Sequence, residues 1–127
     1  MIEERRKYIR LETNIKFTYR LEGVKGTVDR SVTKNVSPGG IRALVTNRIK
    51  KGNRLELNIS VPKVKKSIFA IGKVIWLADE KADKVDVGIK FEEIDADIKN
   101  KFLEYICELM FSQLERLKVQ NDTIRRF

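Results

Sequence analysis

Apolar and polar positions alternate through the first three quarters of the chain, and then the period changes. Ile15, Phe17, Tyr19 and Leu21 are separated by polar residues, the spacing of a half-buried strand. Gly23 and Gly26 frame a turn. Val28, Val32 and Val36 sit in phase and predict one face of a second strand, interrupted by Arg30 and Lys34. After the turn residues Ser37, Pro38, Gly39 and Gly40, a third strand follows at Ile41, Ala43 and Val45. Lys51, Gly52 and Asn53 mark another turn. Leu55, Leu57, Ile59 and Val61 form a fourth strand, stopped by Pro62. Residues 67–78 are apolar on both faces and predict a long, covered fifth strand. Val85, Val87, Ile89 and Phe91 make a sixth, interrupted by Gly88.

From Asp95 the spacing becomes helical. Acidic Asp95 and Asp97 suit a helix N-terminus. Ile98, Phe102, Tyr105 and Leu109 form one stripe. Leu103, Ile106, Met110, Leu114 and Leu117 form another beside it. Together they span an arc of about 200°, wider than the ~100° needed to cover one core. Two readings follow: a helix sunk deeply against the sheet, or a second stripe that meets a partner, most simply the same helix of another subunit. The expected architecture is mainly β: a small six-stranded antiparallel β-barrel with a C-terminal α-helix over one opening. The chain divides into an arm (1–12), a barrel (13–92), a helix (95–118) and a polar tail (119–127), in one domain spanning 1–127.

Composition narrows the chemistry. Histidine is absent and Cys107 is the only cysteine, which removes His-based catalysis, internal disulfides and His or Cys metal clusters. Within the apolar helical pattern, Cys107 reads as a small buried side chain. No carboxylate pair stands where its pKa would be tuned, so an enzyme is not expected. No run approaches the ~18 apolar residues of a membrane span, and residues 1–10 do not resemble a signal peptide. The expected compartment is the cytoplasm. The net charge is +9, and residues 1–51 hold 13 Lys/Arg against 5 Asp/Glu, so nearly all the excess lies in that segment. Such a field concentrates anionic partners.

Two short motifs lie in the basic segment. Arg5, Arg6 and Arg10 supply fork-shaped cations that can grip phosphate or the O6/N7 edge of guanine and can stack on a base. Asn35 and Ser37 offer short polar side chains, and Gly39 and Gly40 let backbone and ligand approach and can take positive φ where the chain turns.

These residues resemble the PilZ domain, a receptor module for the bacterial second messenger cyclic di-GMP. Arg6-Lys7-Tyr8-Ile9-Arg10 is similar to the family's RxxxR motif, and Asn35-Val36-Ser37-Pro38-Gly39-Gly40 to its [D/N]xSxxG motif. Gly72-Lys73-Val74-Ile75-Trp76 is similar to its G-x-V-x-W strand, and Val87-Gly88-Ile89-Lys90-Phe91 to its last strand. The resemblance covers residues 4–118. It implies that Arg6 and Arg10 grip guanine and phosphates from the arm and that Arg5 joins them, consistent with an intercalated ligand dimer and two ligands per subunit. It implies that Asn35 and Ser37 hold a guanine on the barrel, with Gly40 keeping the floor clear. Trp76 is either a further contact or a core residue. Where many members have Asp, this chain has Asn35, which loses one acceptor and a charge-assisted bond, a cost of roughly 1 kcal/mol or about fivefold in affinity.

The implied mechanism is an arm that orders when ligand phosphates neutralise its cations, creating a surface for an unidentified downstream protein. No cofactor beyond the ligand is expected. Two alternatives compete: a PilZ-like interaction module that binds no nucleotide, and a basic barrel for single-stranded nucleic acid. The second is disfavoured because Phe17 and Tyr19 fall on the presumed core face and not on a stacking platform.

Overall fold

The computed structural model describes residues 11–62, 64–81 and 83–125. Eight elements follow in order: β1 (Leu11–Glu12), β2 (Lys16–Leu21), β3 (Asp29–Ser37), β4 (Gly40–Thr46), β5 (Arg54–Ser60), β6 (Ile68–Lys81), β7 (Lys84–Ile94) and α1 (Ala96–Arg125). The strands pair antiparallel in the order β3-β2-β5-β6-β7-β4, and β4 pairs back to β3, so six strands close into the expected barrel. Closure leaves no open edge in the ring.

The two-residue β1 lies along the same edge of β3 as β2, with Leu11 opposite Val36 and Glu12 opposite Asn35. Residues 13–15 form the step between β1 and β2. The buried Thr33 holds that step: its hydroxyl donates to the Thr13 carbonyl (2.6 Å) and accepts from the Ile15 amide (2.9 Å). The Thr33 amide also donates to the Ile15 carbonyl (3.0 Å), so one residue leads the chain from the Asn35 region into the barrel.

Alternation delivers the core. Ile15, Phe17 and Tyr19 face inward with Ile41, Ala43, Val45, Leu55, Leu57, Ile59, Val85, Val87 and Ile89. The Tyr19 hydroxyl satisfies the Thr46 amide (2.9 Å), and burial raises its pKa. Gly23, Gly26 and Gly52 have positive φ, as turns at those positions require. Asp95 caps α1, its carboxylate accepting from the Asp97 and Ile98 amides at 3.0 and 3.3 Å. Phe102 and Ile106 are fully buried, and Phe102 meets Phe91 edge to face at 5.7 Å, which closes one barrel opening.

Several expectations are corrected. The second strand carries a β-bulge between Thr33 and Asn35, with Lys34 as the extra residue, so Val36 points inward while Val28 and Val32 are exposed. The fifth strand is not covered on both faces, since Phe69, Ile75 and Leu77 are exposed. Cys107 is exposed and not buried. The helix continues past Lys118 to Arg125 through the segment read as tail, because residues 119–125 contain neither glycine nor proline to stop it. Of the second helical stripe, Ile106 and Met110 join the barrel side, while Leu114 stays exposed.

Candidate functional site

Parity decides which side chains form the site. Thr33 faces the core, and strict alternation would send Asn35 and Ser37 inward after it. The bulge at Lys34 adds one residue and reverses the phase, placing Asn35 and Ser37 on the outer face and Val36 in the core. A second bulge acts the same way in β6, between Val74 and Trp76. Val74 is fully buried, and Trp76 lies on the outer face, half-buried over Gly88, its cross-strand partner. Trp76 is therefore not a core residue. A Cβ at Gly88 would fall 2.1 Å from the indole nitrogen, so the glycine is what allows the ring to lie flat there.

Between these two displaced segments runs an open cleft of about 620 Å3. Asn35, Ser37, Gly39 and Gly40 form one side, with Arg42, Trp76 and Gly88 on the floor, Lys90 opposite Gly40 and Lys99 on α1. The volume lies within the range of small-molecule sites. Among the described residues its cations are Arg42, Lys90 and Lys99, and its one carboxylate, Glu92, is drawn to Arg54 at 3.2 Å. The cleft therefore favours an anionic ligand.

Pro38 and Gly39 form the two-residue turn between the paired Ser37 and Gly40. The Ser37 hydroxyl accepts from the Gly39 amide (3.2 Å) and donates to the Gly40 carbonyl (3.4 Å), so Ser37 shapes the turn as well as facing the cleft. Phe91 donates its amide to the Gly39 carbonyl at 2.8 Å, which ties the turn to β7. Gly40 does not use positive φ, contrary to that part of the sequence expectation. It is needed because a Cβ would fall 2.0 Å from the Ile89 carbonyl oxygen.

Arg42 is the site residue that sequence reasoning missed. It is the cross-strand partner of Asn35. Its guanidinium donates to Asp86 (Nη2 to Oδ2, 2.6 Å), and its Cζ lies 5.7 Å from the Trp76 ring centroid. Lys34, the bulge residue, donates to the same carboxylate at 3.2 Å. The period-two pattern puts Arg42 outside the barrel, but only the strand register sets it beside Asn35 and above Trp76. Lys90, opposite Gly40 in the β4–β7 register, was missed for the same reason, and Lys99 because it reaches the cleft from α1. Arg5, Arg6 and Arg10 lie outside the described residues.

Asp86 is only 2% exposed. Burial alone pushes its carboxyl up; the hydrogen bonds and charges of Arg42 and Lys34 more than reverse this, so it sits below the ordinary aspartate value. A carboxyl lowered on folding contributes stability that is fully present above its unfolded value of about 3.9 and is lost as pH falls through the folded value. Wild type should therefore lose thermal stability as pH drops below about 4, and Asp86→Asn should show a shallower loss across that window. Parallel acid-melting curves for the two proteins would contradict this pairing.

Trp76 is the sole tryptophan, so its emission reports the cleft floor. Gly88→Ala is expected to lift the indole off β7 and shift its emission to longer wavelength, with the barrel still folded. An unchanged spectrum would mean that Trp76 does not rest on Gly88 in solution.

Fold and site together define a class: a closed six-stranded barrel with an anion-favouring cleft on its outer face, next to an Asn-x-Ser-x-Gly-Gly turn. The chain belongs to the PilZ domain family, whose pattern matches residues 4–108. Three solved structures are similar in fold. The Bacillus subtilis inhibitor of motility MotI/DgrA is 24% identical with a TM-score of 0.68, covering 89% of this chain and 53% of that one. The PilZ domain of Escherichia coli YcgR, solved with c-di-GMP, is 16% identical with a TM-score of 0.66, covering 91% and 98%. The K. pneumonia MrkH–c-di-GMP complex is 13% identical with a TM-score of 0.71, covering 91% and 57%. The chain thus spans about half the length of MotI/DgrA and of MrkH. No curated protein matches the chain. Among the described residues no group of three or more His, Cys, Asp or Glu could hold a metal ion, and no helix is long and apolar enough to cross a membrane.

Proposed function

We propose that this chain is a receptor for cyclic di-GMP, not an enzyme, and that it passes the signal to a partner protein. Membership of the PilZ family and the c-di-GMP complexes of YcgR and MrkH support the ligand class. The observation that carries the reading to this chain is the pairing of Leu11 with Val36 and Glu12 with Asn35. Arg10 immediately precedes Leu11, one Cα step of about 3.8 Å away. This supports a role beside the Asn35–Ser37 turn for the Arg6–Arg10 motif, which ends one residue before Leu11 in the sequence.

In this reading Arg6 and Arg10 clamp phosphate and guanine, and Arg5 serves a second, stacked ligand. Asn35 and Ser37 hold the guanine edge. Arg42 and Trp76 give the base a flat cationic and aromatic floor, and Gly39 and Gly40 leave room at the rim. Ligand binding neutralises the arginines and draws residues 1–10 over the cleft, and the ordered arm becomes part of a new surface.

Calorimetric titration with cyclic di-GMP tests the reading. Saturable binding at one or two ligands per chain is expected, together with a change in Trp76 emission. A flat trace would leave an interaction module that binds no nucleotide. Tight binding of a short oligonucleotide with a steep salt dependence, and none of the dinucleotide, would instead favour a nucleic-acid-binding barrel.

A further inference from the structure

We infer, on the reading of the cleft as a cyclic di-GMP site, that Asp86 is a positioning residue for the ligand: it holds the Arg42 guanidinium against Trp76, so that the cleft floor is set before anything binds. Asp86 is not among the residues that line the cleft. It acts through Arg42, which is.

The register brings the three groups together. Arg42 on β4 and Trp76 on β6 are both Cα partners of Gly88, one on each side of β7. With no side chain on Gly88 the two meet across the strand, Arg42 Cζ 5.7 Å from the indole centroid. Asp86 lies two residues before Gly88 and so on the same face of β7. Its carboxylate takes Arg42 side-on: Nε donates to Oδ1 and to Oδ2 at 3.2 Å each, and Nη2 to Oδ2 at 2.6 Å. A side-on pair fixes the plane of the guanidinium as well as its place. Lys34 donates to Oδ2 from the β3 bulge at 3.2 Å, so the carboxylate is itself held from a second strand.

Charge alone gives no reason for a carboxylate here. Asp86 stands beside a cleft that favours anions, and its negative charge opposes the phosphates of the ligand. A buried ion pair is also an unreliable source of stability, because desolvation offsets the attraction. What the pair supplies is order. The Arg42 side chain is 37% exposed, and an arginine that far into water samples many rotamers unless it is held. Holding it in advance removes that ordering step from binding. Loss of Asp86 should therefore weaken the ligand although it makes the site more positive, the opposite sign to a field effect. Arg42 and Lys34 both reach water, so Asp86→Asn strands neither cation in the interior.

Calorimetry with cyclic di-GMP on wild type, Asp86→Asn, Arg42→Ala and the double variant tests this, with circular dichroism to show that each barrel is folded. Asp86→Asn is expected to weaken binding about three- to tenfold, and to change it by less than about twofold once Arg42 is alanine. In the ligand-free protein, Asp86→Asn should open Trp76 to acrylamide quenching as Arg42 leaves the ring. Wild type alone provides a further check: in nitrogen-edited NMR of the ligand-free chain, the Arg42 Nε–H should exchange slowly with solvent. If Asp86→Asn does not fold, that exchange rate decides. Unchanged or tighter binding by Asp86→Asn, an equal loss with and without Arg42, unaltered quenching of Trp76, or a rapidly exchanging Arg42 Nε–H would overturn the positioning role and leave the receptor reading in place. A wild type that gives a flat calorimetric trace would overturn both.

Discussion

Arg10→Ala is expected to weaken cyclic di-GMP binding by about 30- to 150-fold, the loss of about 2–3 kcal/mol that a charge-assisted, fork-shaped contact to phosphate or guanine contributes. The thermal melting of the barrel should be unchanged, because the fold is closed by β3–β4 pairing without the arm. Arg10→Lys should recover only part of the affinity, since lysine restores the charge but not the two parallel donors. Lys51→Ala removes the same charge from an exposed turn away from the cleft. If binding were driven by the general positive field, Arg10→Ala and Lys51→Ala would weaken it alike. Equal losses in calorimetry would therefore sink the clamp mechanism while leaving ligand binding itself in place.

Gly40→Ala is expected to lower stability by about 1–3 kcal/mol, the usual cost of forcing an extra carbon into a packed position. The carbon would meet backbone: the Ile89 carbonyl oxygen at 2.0 Å and the Lys90 Cα at 3.2 Å. No rotamer change can relieve that contact, so β4 and β7 must separate where they form the cleft wall. Ligand affinity should fall with stability, read together in urea unfolding and calorimetry. Gly52→Ala is the matching control. Gly52 has a φ of +91° and nothing within 4 Å of a built Cβ, so its substitution strains the turn but leaves the cleft alone. A Gly40→Ala protein as stable as wild type would show that β4 and β7 are not in this close approach.

The barrel was legible because its signals are local. Alternation at Ile15–Leu21 and at Leu55–Val61, with glycines in the turns between strands, needs only neighbouring residues to be read. The [D/N]xSxxG turn was equally plain, and the arginine pair before the first barrel strand was visible as a motif. The in-phase spacing of Val28, Val32 and Val36 misled for the opposite reason. Whether Lys34 bulges is settled by the pairing of β3 with β4, not by any property of Lys34 itself. The same holds for Trp76, which sequence left between contact and core. A bulge at Ile75 and the absence of a side chain at Gly88 place it outside.

The buried Asp86 shows a further limit. In the sequence it lies in an ordinary strand between Val85 and Val87. Its burial comes from Arg42 and Lys34 converging from two other strands. The sequence by itself determined the six-stranded barrel, the C-terminal helix, the basic bias and the two motifs, all encoded in short-range spacing and composition. Tertiary structure decided which face each motif side chain occupies and joined Arg42, Trp76, Lys90 and Lys99 to the site. Cross-strand register sets parity and proximity between residues distant in the chain, and a single extra residue at a bulge reverses every side chain beyond it.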